Sequence, residues 1–354
     1  MIERQPVASG ALPLVTQWRA MVARRGAMVA LGMVGLALSV VLDIAVGPSF
    51  LPLSVVAAAV FGGGSDAAAE VIVWTIRMPI ALIALAVGAA LGLSGAIMQT
   101  ILNNPLASSY TLGVSTGAGF GAALVIVLGS RLGIAEDWAI PIASCVFSGI
   151  VCAAVWGIGR LRGATPELLV LAGIALLFLF QALLALLQYV ATQEALQQIV
   201  FWLFGSLQKA TWSKMWIILA TFIIVLAVIL RDAWALTALK LGDERAAGLG
   251  VDVRALRFRC FVCISVLTGV AVAFVGTIGF VGLVGPHIAR ILVGEDQRLF
   301  LPASAVSGAL LLSLSSLVSK LVLPGAVFPI GIVTALIGVP FFIWMILGMR
   351  RGYW

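Results

Sequence analysis

The chain has 354 residues, of which 62% are hydrophobic and only 10% are charged, and its formal net charge is +7. A soluble domain has about 25% charged residues, so the composition excludes that class. The positive charge fits a membrane protein, which keeps Lys and Arg on its cytoplasmic side. A nucleic-acid-binding protein is disfavoured, because there is no separate basic domain with interleaved aromatic residues.

Long apolar segments predict an all-α, polytopic membrane protein with about ten spans. About 20 apolar residues cross the hydrocarbon core as a helix, and in lipid each helix satisfies its own backbone polar groups. The first apolar run follows Arg24-Arg25 without a clear small-residue cleavage site, so we predict a retained span and not a signal peptide. In chain order the predicted spans are residues 28–47, 78–101, 111–129, 139–159, 168–191, 213–230, 259–276, 280–293, 301–321 and 328–348.

The seventh and eighth predicted spans share one apolar run, Phe261–Val293, which is about 50 Å long as a straight helix. That length is too great for one crossing. Basic residues flank the run on both sides, which predicts two crossings that begin and end at the cytoplasmic face. Residues 276–279 (Gly-Thr-Ile-Gly) predict the break, because glycine weakens a helix and permits a turn.

Ten spans place both termini in the cytoplasm. The predicted organisation is a cytoplasmic N-terminal segment (1–27), one transmembrane domain (28–348) and a cytoplasmic tail (349–354). The inner loops then carry sixteen of the 21 Lys and Arg residues and the outer loops five. This asymmetry agrees with the positive-inside rule.

One polar loop, residues 231–259, carries ten of the chain's 35 charged residues between two apolar segments. Asp243 and Glu244 are predicted to open a short helix, because acidic side chains suit the positive end of a helix dipole. Gly250 is predicted to end it in the left-handed conformation. A second short helix, which is basic, is predicted to follow. Two interpretations stay open: a solvated loop, or a docking platform for a cytoplasmic motor.

Three polar side chains lie in the fifth predicted span: Gln181, Gln188 and Tyr189. Gln181 and Gln188 are seven residues apart and share a helix face. Polar groups in lipid face the bundle interior or a wet cavity, so these side chains either line a pathway or bond to neighbouring helices. In the second span, glycines at small-residue spacing predict close helix packing; they are Gly88, Gly92 and Gly95.

The chain lacks the residue patterns that common membrane enzymes need. There is no G-x-x-x-x-G-K-[ST] loop, so the chain cannot hydrolyse ATP by that route. His287 is the only histidine, no paired carboxylates lie within spans, and the four cysteines are expected to be buried packing thiols. We therefore predict no catalytic residue, no metal site and no cofactor bound by this chain.

A secondary transporter without an ATPase is the alternative from another functional class. Proton-coupled transporters carry Asp, Glu or His within spans, and here only Asp43, near the end of the first span, comes close. A sodium site built from backbone carbonyls stays open.

An ordered set of motifs resembles the FecCD family, the membrane permeases of type II ABC importers for iron–siderophores, haem and cobalamin. The resemblance covers about residues 60–348, and the order and spacing of the motifs make it specific. The motifs are Arg77-Met78-Pro79, Gly95-Ala96-Ile97-Met98-Gln99, Asn103-Asn104-Pro105-Leu106-Ala107, Leu112-Gly113-Val114-Ser115, Phe201-Trp202-Leu203-Phe204-Gly205-Ser206-Leu207, Leu241-Gly242-Asp243-Glu244, Leu249-Gly250-Val251, Gly279-Phe280-Val281-Gly282-Leu283-Val284-Gly285-Pro286-His287 and Pro329-Ile330-Gly331-Ile332-Val333-Thr334.

The resemblance implies the type II ABC importer permease fold and a bacterial cytoplasmic (inner) membrane location. It implies a pathway at the centre of a dimer with a second copy of the chain or a homologous permease. Two cytoplasmic ATPase subunits would bind Mg-ATP, and a periplasmic binding protein would deliver the cargo. That cargo is expected to be a ferric siderophore or haem, with cobalamin as the alternative. The chelator would carry the metal, so the chain need not bind bare iron.

The resemblance also assigns roles to residues. The coupling residues are Leu241, Gly242, Asp243, Glu244, Arg245, Ala246, Leu249 and Gly250. The gate residues are Asn104, Pro105 and Leu106 in one loop and Thr165, Pro166 and Glu167 in another, whose chemistry matches less well. Arg77 and Lys320 are expected at the outer face, with Lys209 and Lys214, where the binding protein docks. The chain departs from the family at Ile80 and Val327-Phe328, where the family often has Arg and Glu.

Overall fold

The structure, a computed structural model, describes residues 11–47, 51–62, 66–132, 136–163, 165–322 and 326–348. The predicted tail 349–354 and the first ten residues lie outside these ranges. Within them the chain forms helices joined by turns, without a β-strand. The helices are α1 Ala11–Ala45, α2 Leu53–Phe61, α3 Ala67–Val71, α4 Met78–Ile101, α5 Val114–Leu132, α6 Glu136–Arg162, α7 Pro166–Val190, α8 Gln193–Leu203, α9 Trp212–Arg231, α10 Ala233–Leu239, α11 Asp243–Gly248, α12 Val253–Val275, α13 Val281–Val293, α14 Gln297–Leu321 and α15 Ile330–Gly348. A π-helical segment, Ile72–Arg77, joins α3 to α4.

The prediction of an all-α polytopic membrane protein is confirmed. Among the described residues, seven helical segments are long and apolar enough to cross a membrane. Three shorter apolar helices coincide with the remaining predicted spans: Val114–Gly129, Val281–Val293 and Ile330–Met345.

The first helix begins earlier than the predicted residue 28. α1 starts at Ala11, so residues 11–27 continue the first span as one helix. This stretch is rich in Ala and Arg, which favour a helix. The cytoplasmic position of residues 11–27 stays a prediction.

α4 is the central helix of the bundle. It is buried over most of its length and packs against α12, α13 and α14. A Cβ atom on Gly95 would lie 1.8 Å from the carbonyl oxygen of Gly282, and one on Gly92 would lie 2.3 Å from that of Ser304. Only glycine fits at these distances, so the predicted close packing of this helix is confirmed.

The predicted break between the seventh and eighth spans is also confirmed. α12 ends at Val275, Gly276 has φ +77°, and residues 276–279 are not helical. The residue before the break is bonded to one distant segment, which is bonded to another. The amide of Ser206 donates to the carbonyl of Val275 (2.8 Å), and the amide of Gly331 donates to the carbonyl of Phe204 (3.0 Å). Motifs from three distant segments therefore meet at one junction.

Several short helices were not predicted. α2 has nine residues and α8 has eleven, so neither is long enough to span the hydrocarbon core. The sequence did carry one signal for α8, the N-cap residue Thr192, whose hydroxyl accepts from the amide of Ala195 (3.3 Å).

Candidate functional site

The segment Leu241–Gly250, called the coupling segment below, contains the short helix α11. Asp243 and Glu244 occupy its first turn, as predicted. The amide of Gly250 donates to the carbonyl of Ala247 (2.9 Å), the amide of Val251 donates to that of Ala246 (3.1 Å), and Gly250 has φ +85°. This bonding pattern is a Schellman cap. The predicted left-handed stop at Gly250 is therefore confirmed.

The coupling segment presents a mixed apolar and charged surface. Leu241 and Leu249 are 54% and 53% exposed, and the side chains of Glu244 and Arg245 also face outward. Ala246 is fully buried and holds the segment against the bundle. Two exposed leucines beside charged residues form a surface that a protein partner can cover.

The basic piece after the coupling segment does not form the second short helix that the sequence predicted. Its residues form the first turns of α12, which Asp252 caps by accepting from the amide of Ala255 (2.9 Å). The cap and the apolar run that follows extend α12 as one helix. Arg257, which is buried, donates two hydrogen bonds to the carboxylate of Asp243, of 2.7 and 2.9 Å. Such two-point pairing orients both groups, so it fixes the coupling segment to α12.

The two predicted gate loops lie side by side. In the first, Asn104–Leu106, the amide of Asn104 donates to the carbonyl of Gln99 (3.1 Å), and the Asn104 side chain accepts from the amide of Leu106 (2.9 Å). The second, Thr165–Glu167, opens α7, with Thr165 as its N-cap. Asn104, Pro105, Pro166 and Glu167 line one cavity of about 490 Å³.

A second cavity joins the second gate loop to the coupling segment. It has a volume of about 310 Å³ and includes all three residues of the second gate loop together with Asn103. Gly242, Asp243 and Arg257 line the same cavity. The structure thus brings together three segments that are far apart in sequence.

The three predicted pathway residues do not face the interior of this chain. On α7, Gln181 is exposed, Gln188 is partly exposed, and Tyr189 is 87% exposed. α7 packs with one side on α5 and α6 and leaves its other side uncovered. A path through the bundle of a single chain could not use these side chains. Only a surface facing α7 from outside the chain could enclose them.

Arg77 and Lys320, two of the predicted docking residues, are buried in this structure, and their role in docking stays a prediction. Arg77 is 3% exposed and donates to the carbonyls of Ile44 (3.1 Å) and Ala45 (2.7 Å) at the end of α1. Lys320 is 7% exposed and pairs with Asp43. Both cations lie at a helix C-terminus, where carbonyls lack partners and the dipole is negative.

The other two predicted docking residues lie closer to the surface. Lys209 is exposed, and Lys214 is partly buried with its ammonium group donating to the carbonyl of Lys209 (2.9 Å). Elsewhere, Cys152, Cys260 and Cys263 are buried, as expected of packing thiols, while Cys145 is partly exposed. Nδ1 of His287 lies 2.8 Å from the carbonyl oxygen of Leu283.

Comparison with known proteins identifies the family. A model of the FecCD transport family matches residues 35–348. The chain belongs to the FecCD transport family. The match reaches further toward the N-terminus than the resemblance seen in the motifs, since it includes the last part of α1, residues 35–45. Every predicted site residue lies within it.

Relatives of this FecCD protein are ABC transporter permeases. A candidate ABC transporter permease of Methanocaldococcus jannaschii is 37% identical over 90% of this chain and 93% of its own length. The vitamin B12 import system permease BtuC of Salmonella typhimurium is 39% identical over 82% of this chain and 88% of its own. The solved structure of a candidate metal-chelate type ABC transporter, in an inward-facing conformation, matches with a TM-score of 0.81 and 31% identity, and it covers 92% of this chain and all of that one.

These findings establish the chain as a multi-pass membrane permease of the FecCD and BtuC type with the type II ABC importer fold. Its relatives are transport subunits and not catalytic ones. The prediction of a transport component is therefore confirmed at the level of the family.

Proposed function

We propose that this FecCD permease is the membrane subunit of an ATP-driven importer. It would pair with a second copy of itself and bind two cytoplasmic ATPase subunits through the coupling segment. The observation that carries this proposal is the shared cavity that joins the coupling segment to the second gate loop. The proposed ATPase-binding surface and the proposed gate therefore lie close together. Alternating access requires such a connection between the two.

The proposed mechanism begins with closure of the ATPase subunits on ATP. They would push on the exposed Leu241 and Leu249, and the Asp243–Arg257 pair would carry that movement into α12. A ligand shifts a conformational equilibrium only through its different affinity for the two states. ATP and the loaded binding protein would supply that difference here.

The proposed pathway runs between two copies of the chain. Gln181, Gln188 and Tyr189 lie on the uncovered side of α7, where a second copy would enclose them. None of these three side chains is charged. A pathway lined by them would bind cargo weakly, which suits release into the cytoplasm. Lys209 and Lys214 remain the proposed contacts for an acidic periplasmic binding protein.

The proposed cargo is a bulky metal chelate, such as a ferric siderophore or haem. A chelate brings its own metal ligands, so a lining of glutamine, tyrosine and apolar side chains is sufficient. Cobalamin is the second candidate, because several relatives at 39% identity are named as vitamin B12 import permeases. The proposed location is the bacterial inner membrane, with both termini in the cytoplasm.

The test is ATP hydrolysis by the chain co-purified with the ATPase encoded beside it, in lipid discs. Binding proteins loaded with ferric siderophore, haem or cobalamin are added one at a time. Stimulation by one of them supports the importer and narrows the cargo. Leu249→Glu should abolish the stimulation, whereas Leu161→Glu should not, because Leu161 is an exposed leucine outside the coupling segment.

Two results would contradict the proposal. One is the lack of a stable complex with any ATPase. The other is uptake that follows an ion gradient and is unaffected by vanadate, which would favour the secondary transporter.

A further inference from the structure

A continuous series of polar contacts links the coupling segment to the first gate loop. The ammonium group of Lys240 lies 3.1 Å from Oε1 of Glu295, and Nε of Arg290 lies 3.0 Å from the same oxygen. Nη2 of Arg290 donates to Oε1 of Gln99 (3.0 Å). The backbone carbonyl of Gln99 accepts from the amide of Asn104 (3.1 Å). Four consecutive contacts therefore join Lys240, the residue before the coupling segment, to the gate.

The four side chains come from four separate parts of the fold. Lys240 follows α10, Glu295 lies between α13 and α14, Arg290 is on α13 and Gln99 is on α4. None belongs to the coupling segment or to either gate loop. Local sequence does not require these residues to meet, because each contact joins different elements or spans a turn.

Burial differs along the series: Glu295 is the most exposed member and Gln99 the most buried. The Glu295 side chain is 52% exposed, those of Lys240 and Arg290 are 21% and 23% exposed, and Gln99 is 1% exposed. The Arg290 guanidinium also lies 5.3 Å from the ring centre of Phe300, a favourable cation–π distance. The inner contacts are thus more shielded from water, and hydrogen bonds that involve a charged group are the stronger ones.

A second set of contacts joins the same elements in parallel. The backbone amide of Gln297 on α14 donates to the hydroxyl of Thr237 on α10 (3.3 Å). The hydroxyl of Thr100 on α4 donates to the side-chain oxygen of Gln297 (3.3 Å). α10, which leads into the coupling segment, is therefore connected to α4 by two routes.

We propose that Lys240, Glu295, Arg290 and Gln99 form a positioning relay that transmits movement of the coupling segment to the first gate loop. The inference rests on the proposed function, since it assumes that an ATPase moves that segment. Asp243 and Arg257 would hold one side of the segment to α12, and the relay would hold its other side to α13 and α4. Directional charged contacts between packed helices transmit small shifts because packed interfaces do not deform continuously.

Gln99 is suited to such a relay. Its side-chain oxygen faces Arg290, and its backbone carbonyl bonds to Asn104. Within the described part of the chain, its buried side-chain nitrogen has no acceptor. The side-chain nitrogen of Gln99 can therefore gain a hydrogen-bond acceptor in another conformation. Such a difference in bonding between two conformations is what a two-state element needs.

The test measures gate movement directly and does not depend on the cargo. Leu106→Cys places a thiol at the exposed end of the first gate loop. The complex with the neighbouring ATPase is labelled with maleimide, with and without ATP and vanadate. We expect the labelling rate to change on ATP–vanadate trapping in the parent and the change to be about tenfold smaller with Glu295→Gln, an effect of the size of one charged hydrogen bond.

Matched variants separate a relay from simple stabilisation. Lys240→Gln should reduce the labelling response as Glu295→Gln does, and the double variant should be no worse than the poorer single variant, because both changes interrupt one series. ATP hydrolysis should persist in all three. Arg298→Gln removes an exposed cation from the same region and should leave the response unchanged. Gln99→Leu extends the test to the buried end of the series. If that variant does not fold, the Glu295→Gln and Lys240→Gln variants decide the test.

The outcomes distinguish the two proposals. The relay alone is overturned if the parent complex hydrolyses ATP and the Glu295→Gln variant shows the same labelling response as the parent. Additive loss in the double variant also overturns it, because independent contacts add. A parent chain that forms no active complex with any ATPase overturns the proposed function instead.

Discussion

The ammonium group of Lys320 lies 2.9 Å from the carboxylate of Asp43, and both side chains are buried. The same ammonium group donates to the backbone carbonyl of Asp43 (2.7 Å), and Ser316 donates to its carboxylate (3.0 Å). With Arg77 bonded to the next two carbonyls, two cations close the C-terminal end of α1. The family position of Lys320 therefore serves helix packing in this conformation.

The first prediction concerns that buried pair. Lys320→Met should lower the free energy of unfolding by about 3–5 kcal/mol, because it leaves the Asp43 carboxylate buried without its ion-pair partner. Combining it with Asp43→Asn should restore much of the loss. Thermal denaturation in detergent measures both. Lys209→Met, at an exposed lysine, should stay within about 0.5 kcal/mol of the parent, and equal stability of the two lysine variants would contradict the assignment.

The second prediction tests the close packing of α4. Gly95→Ala should destabilise the protein by about 1–3 kcal/mol or more, because its new Cβ would lie 1.8 Å from the carbonyl oxygen of Gly282 and the backbones must separate. Gly157→Ala on α6 is the control: its Cβ meets nothing within 4 Å, so it should be neutral or stabilising by up to about 1 kcal/mol. Folded yield and melting temperature report both effects. Two variants of equal stability would show that the helices can separate at little cost.

The third prediction concerns the anchor of the coupling segment. Asp243→Asn weakens the two charged hydrogen bonds from Arg257 and should cost about 1.5–3 kcal/mol of stability. It should also weaken co-purification with the ATPase. Glu244→Gln is the matched change at the exposed neighbour and should alter stability by less than about 0.5 kcal/mol. If both variants melted at the parent temperature, the Asp243–Arg257 pair would not anchor the segment.

The fourth prediction concerns the pathway between two copies. Gln181→Leu should reduce ATP-driven uptake by about fivefold, which corresponds to one neutral hydrogen bond of about 1 kcal/mol, with normal expression. Gln17→Leu makes the same change at an exposed position of α1 and should leave uptake unchanged. Unchanged uptake with Gln181→Leu would remove that residue from the pathway.

Much of the fold was predictable because membrane spans are local features. An apolar run of sufficient length determines a helix wherever its neighbours lie. The break at 276–279 and the stop at Gly250 were equally local, because glycine alone adopts those backbone angles easily. α2 and α8 were not predicted, since helices this short have no length signal that separates them from loops.

The sequence by itself determined the membrane class, the positions of the spans and the family motifs that carry the proposed coupling and gate residues. Only the tertiary structure decided which charges are exposed. Arg77 and Lys320 looked like outer-face charges, yet they are buried against the end of α1. The contact between Gln99 and Arg290 in the proposed relay could not be predicted either, because the two residues are distant in sequence. Such contacts depend on which helix faces pack together, and that packing is a property of the whole bundle and not of any single segment.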